Sequence, residues 1–384
     1  MRGTRIAAGV LCALALGACA LSPTMERAVP AEACPGERYV GVGPGDTTAV
    51  RWYRAAEGRD VQLAGRWCAT VGDPVLRLAP TGDFPSWAEG SALAVASWNM
   101  QINGGDLYGF LAGEFGLDCS GPRPILESGR PPFVLLLQEA WRYSQELPFT
   151  ESSRIIPWAI DEDTDGAWDP ATPRPLLEGE HDIVETAEAC GLALVYVPSA
   201  RNGPDTGSRP REDKGNAILS VLPLTTPIAL DLPLEGGRKV AVASTVRAPD
   251  GGRVRVVTSH LDVASTLVRG LISGNQTRSR QANGLIDGLA RAERDGPLTN
   301  AVVVGGDFNA WVGSETALKL MRQAFPESPE WDGLGTRGSF PPDHIFFRRR
   351  DTTFSIDEYQ RVGELYGSDH NARRLMLRQS RAGN

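Results

Sequence analysis

The chain has 384 residues, 41% of them hydrophobic and 22% charged, a composition that excludes a disordered or fibrous protein and leaves room for a substantial core. Its net charge is −8, and loss of residues 1–18 with Arg2 and Arg5 would make it −8 − 2 = −10, so indiscriminate binding of polyanions is excluded unless a local basic surface exists. Length alone suggests about two or three domains, although a large α/β sandwich can use such a chain as one.

At the N-terminus, Arg2 and Arg5 precede the apolar run "IAAGVLCALALGA", too short to span a bilayer as a helix and suited to a signal-peptide core. It ends in "LGAC", Leu16 to Cys19, which resembles a bacterial lipoprotein signal. That resemblance implies cleavage before Cys19, lipidation of Cys19 and, with Ala20 following, the outer membrane. An ordinary secretory signal is the alternative, and either one predicts export. No later segment is long and apolar enough to cross a membrane.

Cys12 leaves with the signal, which leaves Cys34, Cys68, Cys119 and Cys190 beyond the lipidated residue. They contain no Cys-x-x-Cys pair, which argues against zinc. In an oxidising compartment they predict two disulfides, with three pairings open. Proximity along the chain favours Cys34 with Cys68 and Cys119 with Cys190.

Residues 20–90 are rich in proline and glycine and hold short alternating stretches such as "AVRWYR" and "VQLAGRWCAT". They read as a strand-containing extension pinned by a disulfide. From residue 91 apolar strands recur: "ALAVASWNM", "FVLLLQEA", "GLALVYVP", "NAILSVLPL", "VAVASTV", "RVRVVTSHLD" and "NAVVVGGDFNA". Helical patterns intervene at "DLYGFLAGEFG", "SRQANGLIDGLARAER" and "SETALKLMRQAF". Strands, hairpins and helices in this mixture predict an α/β sandwich, with sheets packed face to face and helices outside.

Several strands end in polar residues. They deliver Asn99, Glu139, His260 with Asp262, and Asp307 with Asn309, while "PPDHIFFRR" offers Asp343 and "GSDHNA" offers Asp369 and His370. Each alone is ordinary turn or cap chemistry. Together they place metal-binding and proton-handling groups where strand ends converge in α/β folds.

The ordered set Asn99, Glu139, "GNAILS", "SHLD", "GGDFNAW" and "SDH" resembles the endonuclease/exonuclease/phosphatase superfamily, the deoxyribonuclease-I-like fold. The resemblance implies a four-layer sandwich of two packed mixed β-sheets flanked by helices, over residues 91–377. Residues 1–18 are then the signal, 19–90 an extension and 378–384 a tail. It also implies phosphoester hydrolysis, without fixing the substrate.

Hydrolysing a phosphoester requires neutralising the phosphoryl oxygens and aligning a water. Asn99 and Glu139 are the expected ligands of Mg²⁺ or Mn²⁺, with Asp369 close to the metal. His370 is the expected proton-handling group, oriented by Asp343. Asp307 is expected to orient or deprotonate the attacking water. Asn309 and His260 are expected to donate to the phosphoryl oxygens, and Asn216 to contact substrate phosphate. If a second metal is used, Asp307, Asn309 and His260 are its candidate ligands.

Two further patterns stand out. "DEDTDGAWD" places Asp161, Asp163, Asp165, Gly166 and Asp169 at calcium-loop spacing, but Thr172 stands where the bidentate glutamate belongs. A structural Ca²⁺ and a solvated acidic loop are the two readings. Basic stretches, "RNGPDTGSRPREDK", "RSR" and "FFRRR", flank the catalytic strands and suggest an anion-attracting rim, although the last reads better as solvated surface. The expected protein is a monomeric, envelope-located phosphoesterase. Narrower alternatives are an endonuclease on DNA or RNA and a sphingomyelinase-like lipid phosphodiesterase, and a binding lipoprotein that reuses the fold is the non-catalytic alternative. No extended aromatic-basic tract and no amphipathic membrane-inserting hairpin is visible in the sequence.

Overall fold

The computed structural model describes residues 23–27, 38–39, 49–56, 71–102, 104–121, 123–144, 182–201, 212–234, 238–263 and 275–379. The signal with Cys19, the cysteines Cys34 and Cys68, the Asp161–Asp169 loop and His181 lie outside the described residues.

The strands in chain order are β1 (Met25–Arg27), β2 (Arg38–Tyr39), β3 (Arg51–Ala55), β4 (Val75–Arg77), β5 (Ala92–Asn99), β6 (Leu117–Asp118), β7 (Ile125–Leu126), β8 (Phe133–Tyr143) and β9 (Ala193–Arg201). They continue with β10 (Glu212–Ser220), β11 (Thr225–Asp231), β12 (Val240–Arg247), β13 (Arg253–His260), β14 (Ala301–Asp307), β15 (Asp343–Arg349), β16 (Phe354–Arg361) and β17 (Arg373–Gln379). The described helices are α1 (Leu107–Phe115), α2 (Ile183–Ala189), α3 (Asn275–Arg294) and α4 (Thr316–Ala324).

A seven-stranded sheet runs β1-β3-β11-β12-β13-β14-β15, and an eight-stranded sheet runs β16-β17-β5-β8-β10-β9-β4-β2. Both are mixed: β13 pairs β14 in parallel and β5 pairs β8 in parallel, within otherwise mostly antiparallel surroundings. The described pieces of the N-terminal extension form one flank of each sheet, β1 and β3 in one and β2 and β4 in the other, with β1 and β2 at the edges.

Alternation explains the layering. Val303 of β14 points between the sheets, towards the core that holds Val254, Val256 and Leu135. Its neighbours Val302 and Val304 point the other way, beneath α3 and α4. Helix α3 meets them with Ala282, Leu285, Leu289 and Ala292, spaced three, four and three residues apart as one helical stripe requires. On the far side Phe110 of α1 stacks on Trp98 at 4.5 Å and Phe115 stacks on Phe133 at 4.3 Å. The result is helices, sheet, sheet, helices: the four-layer α/β sandwich expected from the pattern.

Two cross-links stand out, one between elements outside the eight-stranded sheet and one within it. Cys119 and Cys190 form a disulfide between the end of β6 and the end of α2, as proximity suggested. Arg142 of β8 binds Asp213 of β10 through two bonds, Nε–Oδ1 at 2.9 Å and Nη2–Oδ2 at 2.5 Å. The Tyr196 hydroxyl and the Gly72 N–H also donate to Asp213, so this buried carboxylate is well satisfied.

The basic stretches behave differently from an open rim. Arg278 of "RSR" is buried against Glu315, at 2.6 Å and 3.0 Å, and joins α3 to the start of α4 instead of facing solvent. Arg348 and Arg350 of "FFRRR" both pair with Glu293, at 2.8 Å and 3.1 Å. Arg278 is therefore part of the interior and not of a basic rim, whereas Arg348 and Arg350 remain partly exposed, in keeping with the surface reading of "FFRRR". Of "RNGPDTGSRPREDK", Arg201 ends strand β9 and Glu212 to Lys214 open strand β10.

Candidate active site

The polar residues singled out at strand ends converge where β5 and β8 of one sheet meet β13 and β14 of the other. Gly305 and Gly306 make that approach feasible. A Cβ at Gly305 would lie 2.7 Å from the Ser97 side chain of the opposite sheet, and one at Gly306 would lie 2.0 Å from the Ser259 carbonyl oxygen. The two glycines therefore let β14 sit close to its neighbours while delivering Asp307 at its tip.

Asn99 is the hinge of the cluster. Its Nδ2 donates to Glu139 Oε1 and to Asp307 Oδ2, both at 3.0 Å, and so joins carboxylates from the two sheets. Its Oδ1 accepts the Gln101 N–H at 2.9 Å, so the amide turns nitrogen, not oxygen, toward the carboxylates. Both Glu139 and Asn309 have left-handed backbone: Glu139, φ 54°, sits at an irregularity in the pairing of β8 with β10, and Asn309, φ 49°, lies two residues beyond β14.

Asn309 braces Asp307. Its backbone N–H donates to Asp307 Oδ1 at 2.7 Å, and its Nδ2 donates to the Leu261 carbonyl at 2.8 Å. His260 stands between carboxylates, with Nδ1 3.9 Å from Glu139 and Nε2 3.8 Å from Asp307. Asp262, two residues on, instead accepts from Gln281 of α3 at 2.7 Å.

His370 and Asp343 form a buried pair, Nδ1 to Oδ2 at 2.8 Å, and the same Asp343 oxygen accepts the Thr336 hydroxyl at 2.6 Å. The opposite nitrogen, Nε2, lies 4.0 Å from Asp307 Oδ2 and 3.7 Å from Asp369 Oδ1. Burial alone would push His370 toward neutrality. The Asp343 carboxylate beside it, supported by Asp307 and Asp369, outweighs that and raises its pKa to about 10. Burial, together with the Asp343 charge, pushes the Asp307 carboxyl up to about 6, despite the counter-pull of His370, the Asn309 N–H and Asn99.

Asp369, which faces His370 Nε2, is partly exposed and also binds Arg337 at 2.6 Å. One expected site residue stands apart. Asn216 is buried between the sheets, where its Nδ2 donates to the Val240 carbonyl at 2.5 Å. The "DH" histidine, His344, packs against Phe308 and Phe346, and burial lowers its pKa to about 4. It is a neutral core residue.

Other positioning residues were not singled out from sequence. Ser368 donates to the Asn99 carbonyl at 2.7 Å and accepts the His370 N–H at 3.0 Å. Trp98 donates its indole N–H to the His370 carbonyl at 3.0 Å. Gln138 donates to Thr258 at 2.9 Å and so ties the sheets just beneath the site. Ser368 sits inside the "GSDH" motif and could have been noticed there. Thr336 carries no local signal, because its role depends on a turn that returns to Asp343.

The carboxylate and imidazole atoms of Asp307, Asp343 and His370 lie within 4.8 Å of one another, close enough to share a cation. A profile of the endonuclease/exonuclease/phosphatase family matches residues 96–370, and the chain belongs to that family. Its members, which include phosphodiesterases, nucleases and phosphatases, are generally hydrolases of phosphoester bonds. Among solved structures the chain is similar to an endonuclease/exonuclease/phosphatase from Beutenbergia cavernae DSM 12333, at 16% identity over 76% of this chain and 72% of that one, with a TM-score of 0.49. It is also similar to the human Nocturnin catalytic domain, solved with bound sulfate anion, at 14% identity over 77% and 97% of the two chains, with a TM-score of 0.48. No curated protein matches the chain.

Proposed function

We propose that the chain is a metal-dependent phosphoesterase of the cell envelope, exported and anchored through lipid on Cys19, that hydrolyses phosphodiesters or phosphomonoesters with an activated water. The observation that carries the catalytic part is the orientation of the His370–Asp343 pair toward Asp307, 4.0 Å from Nε2, at a buried junction of two sheets. The anchoring part rests on the "LGAC" sequence alone.

The donor set fits a hard divalent cation. Glu139 and Asp307 meet at one amide, and Asp343 Oδ1 is buried without a hydrogen-bond donor, so carboxylate oxygens gather where a cation would neutralise them. Glu139 would hold Mg²⁺ or Mn²⁺, with Asn99 Nδ2 orienting its carboxylate and that of Asp307. When bound, the ion supplies charge neutralisation at the phosphoryl oxygens.

The chain's own residues divide the proton work. Asp307, ionised above about pH 6, accepts a proton from water as the water oxygen bonds to phosphorus and the bond to the leaving oxygen breaks. His370 is cationic at neutral pH, so it enters as an acid, and its Nε2 proton passes to the leaving oxygen. Asp343 holds the ring by Nδ1 and Thr336 holds Asp343. Asn309 fixes Asp307 from behind.

The test is a screen of the purified chain on phosphodiesters and phosphomonoesters with Mg²⁺, Mn²⁺ and Ca²⁺, each beside a chelator control. Activity should require the metal. Asp307→Ala and His370→Ala should each lose about two orders of magnitude in rate or more. Wild-type turnover in both variants rules the mechanism out. Separately, Cys19→Ser should move the protein from the membrane to the soluble fraction, and a wild type already soluble removes the anchoring part.

A further inference from the structure

Two loops that frame the His370 side of the site carry an apolar surface that the chemistry above does not use. One follows β14, where Trp311 and Val312 come two and three residues after Asn309. The other, residues 331–340, precedes β15 and supplies Thr336 to Asp343. Val312 is 49% exposed, Trp331 38%, Leu334 47% and Phe340 44%. The loops touch: the rings of Trp311 and Phe340 meet edge to face at 4.9 Å, and a Cβ at Gly313 would lie 3.6 Å from the Trp331 ring.

This exposure is built in rather than a result of fraying. Arg373, itself buried, donates to Asp332 at 2.6 Å and to the Leu334 carbonyl at 2.5 Å. The Asn371 N–H donates to the Thr336 carbonyl at 2.8 Å, and the Thr336 and Arg337 N–H groups both bond the Phe340 carbonyl. A fixed loop that holds large apolar side chains in water, beside a reactive centre, marks an interaction surface.

We propose that this rim docks on the surface of a lipid assembly, so that the phosphoester hydrolysed is the headgroup linkage of an amphiphile. The proposal rests on the phosphoesterase reading given above and names its substrate class. Val312 and Leu334 are aliphatic and offer no ring for a base to stack on. The Trp331 indole N–H already donates to the Leu334 carbonyl at 2.9 Å, which turns its polar edge inward and leaves carbon facing out. The basic residue between these side chains, Arg337, is bound to Asp369 at 2.6 Å, and the chain as a whole carries −8. A nucleic-acid groove needs a basic track along the backbone, whereas here Arg337 is held by Asp369 and Arg361 by the Gly335 carbonyl and Asn371, and the aromatic and aliphatic side chains suit the lipid–water boundary. The surface joins residues 311–312 to 331–340, so no single window of sequence displays it.

The test uses the full chain carrying Cys19→Ser, so that no acyl group can act as an anchor. It is sedimented with phosphatidylcholine vesicles, beside the same chain with Val312→Asp and Leu334→Asp. The expected result is cosedimentation, with the apparent affinity falling at least tenfold in the double variant while its melting temperature stays within a few degrees. If that variant melts early, Val312→Ser with Leu334→Ser takes its place. A chain that stays in the supernatant, or variants that cosediment equally, overturns the proposal. So does tight retention of a single-stranded oligonucleotide that the same substitutions abolish. Turnover of bis(4-nitrophenyl) phosphate, a soluble diester, reports the hydrolase reading separately. Turnover without vesicle binding overturns only the lipid proposal, and vesicle binding without turnover on any phosphoester overturns only the hydrolase.

Discussion

His370 and Asp343 are 27 residues apart in sequence, yet Nδ1 and Oδ2 meet at 2.8 Å in the buried centre of the site. The carboxylate fixes the ring and keeps it cationic, with a pKa near 10. Asp343→Asn should therefore lower kcat about 100-fold or more and move the alkaline limb of the pH–rate profile to lower pH. The profile of the variant beside the wild type is the measurement. A change in rate with an unmoved alkaline limb would mean that Asp343 does not set the histidine's proton affinity.

Thr336 acts one step further out, through its 2.6 Å bond to Asp343. Thr336→Val keeps the shape and removes the donor, so we expect kcat to fall about tenfold with KM little changed. Thr336→Ser should restore most of the rate. If Thr336→Ser is as slow as Thr336→Val, the hydroxyl is not the operative feature.

Much of this architecture is legible in the sequence, and what is hidden is hidden for identifiable reasons. The continuous apolar runs of β8 and β14 identify themselves because both faces of each strand are covered. Strand β11 is obscured by Pro227 at an irregularity in its pairing with β12. Strand β17, "RRLMLRQ", reads as charged surface, whereas Arg373 within it is wholly buried because Asp332 and Leu334 arrive to meet it. The candidate site side chains show as strand-tip motifs, but their contacts do not. Nothing local says that Asn99 turns its nitrogen to the carboxylates, or that Asn216 uses its amide to bridge the sheets.

Gly306 has no room for a side chain, with the Ser259 carbonyl 2.0 Å from where its Cβ would stand. Gly306→Ala must push β13 and β14 apart at the level of His260 and Asp307, which the register pairs directly. The variant should be destabilised by several kcal/mol, roughly the upper range for core overpacking, and should lose activity even where it folds. Denaturant unfolding and a rate assay on the folded fraction test both parts, and a fully active, equally stable variant would refute the packing argument.

The Cys119–Cys190 disulfide closes a loop with a sequence separation of 71. Replacing both cysteines by alanine should cost about 2–4 kcal/mol, as expected for cross-links of this span. Unfolding of the oxidised and substituted chains in urea gives the value directly, and equal midpoints would show that the cross-link adds nothing.

Asp182 caps α2 by accepting the Glu185 N–H at 2.7 Å, and burial pushes its carboxyl up to about 6. Its folded pKa lies above the unfolded value near 4, so the folded state holds the extra proton between them. The resulting stabilisation is full below about pH 4 and is lost as pH rises through 6. Asp182→Asn keeps the cap without that ionisation. The melting temperature of the variant, relative to wild type, should rise between pH 4 and pH 7, and a constant difference across that range would contradict it.

One consequence follows from the single Asn99 amide that grips Glu139 on its own sheet and Asp307 on the other. The reacting centre belongs to neither half of the sandwich and exists only while the two keep their spacing. Pressure, cold or a loosening substitution that lets one half slide by an ångström would silence turnover while every strand still held its neighbours. Inactivation should then run ahead of any circular-dichroism change, so that the enzyme serves as a gauge of its own inter-sheet alignment.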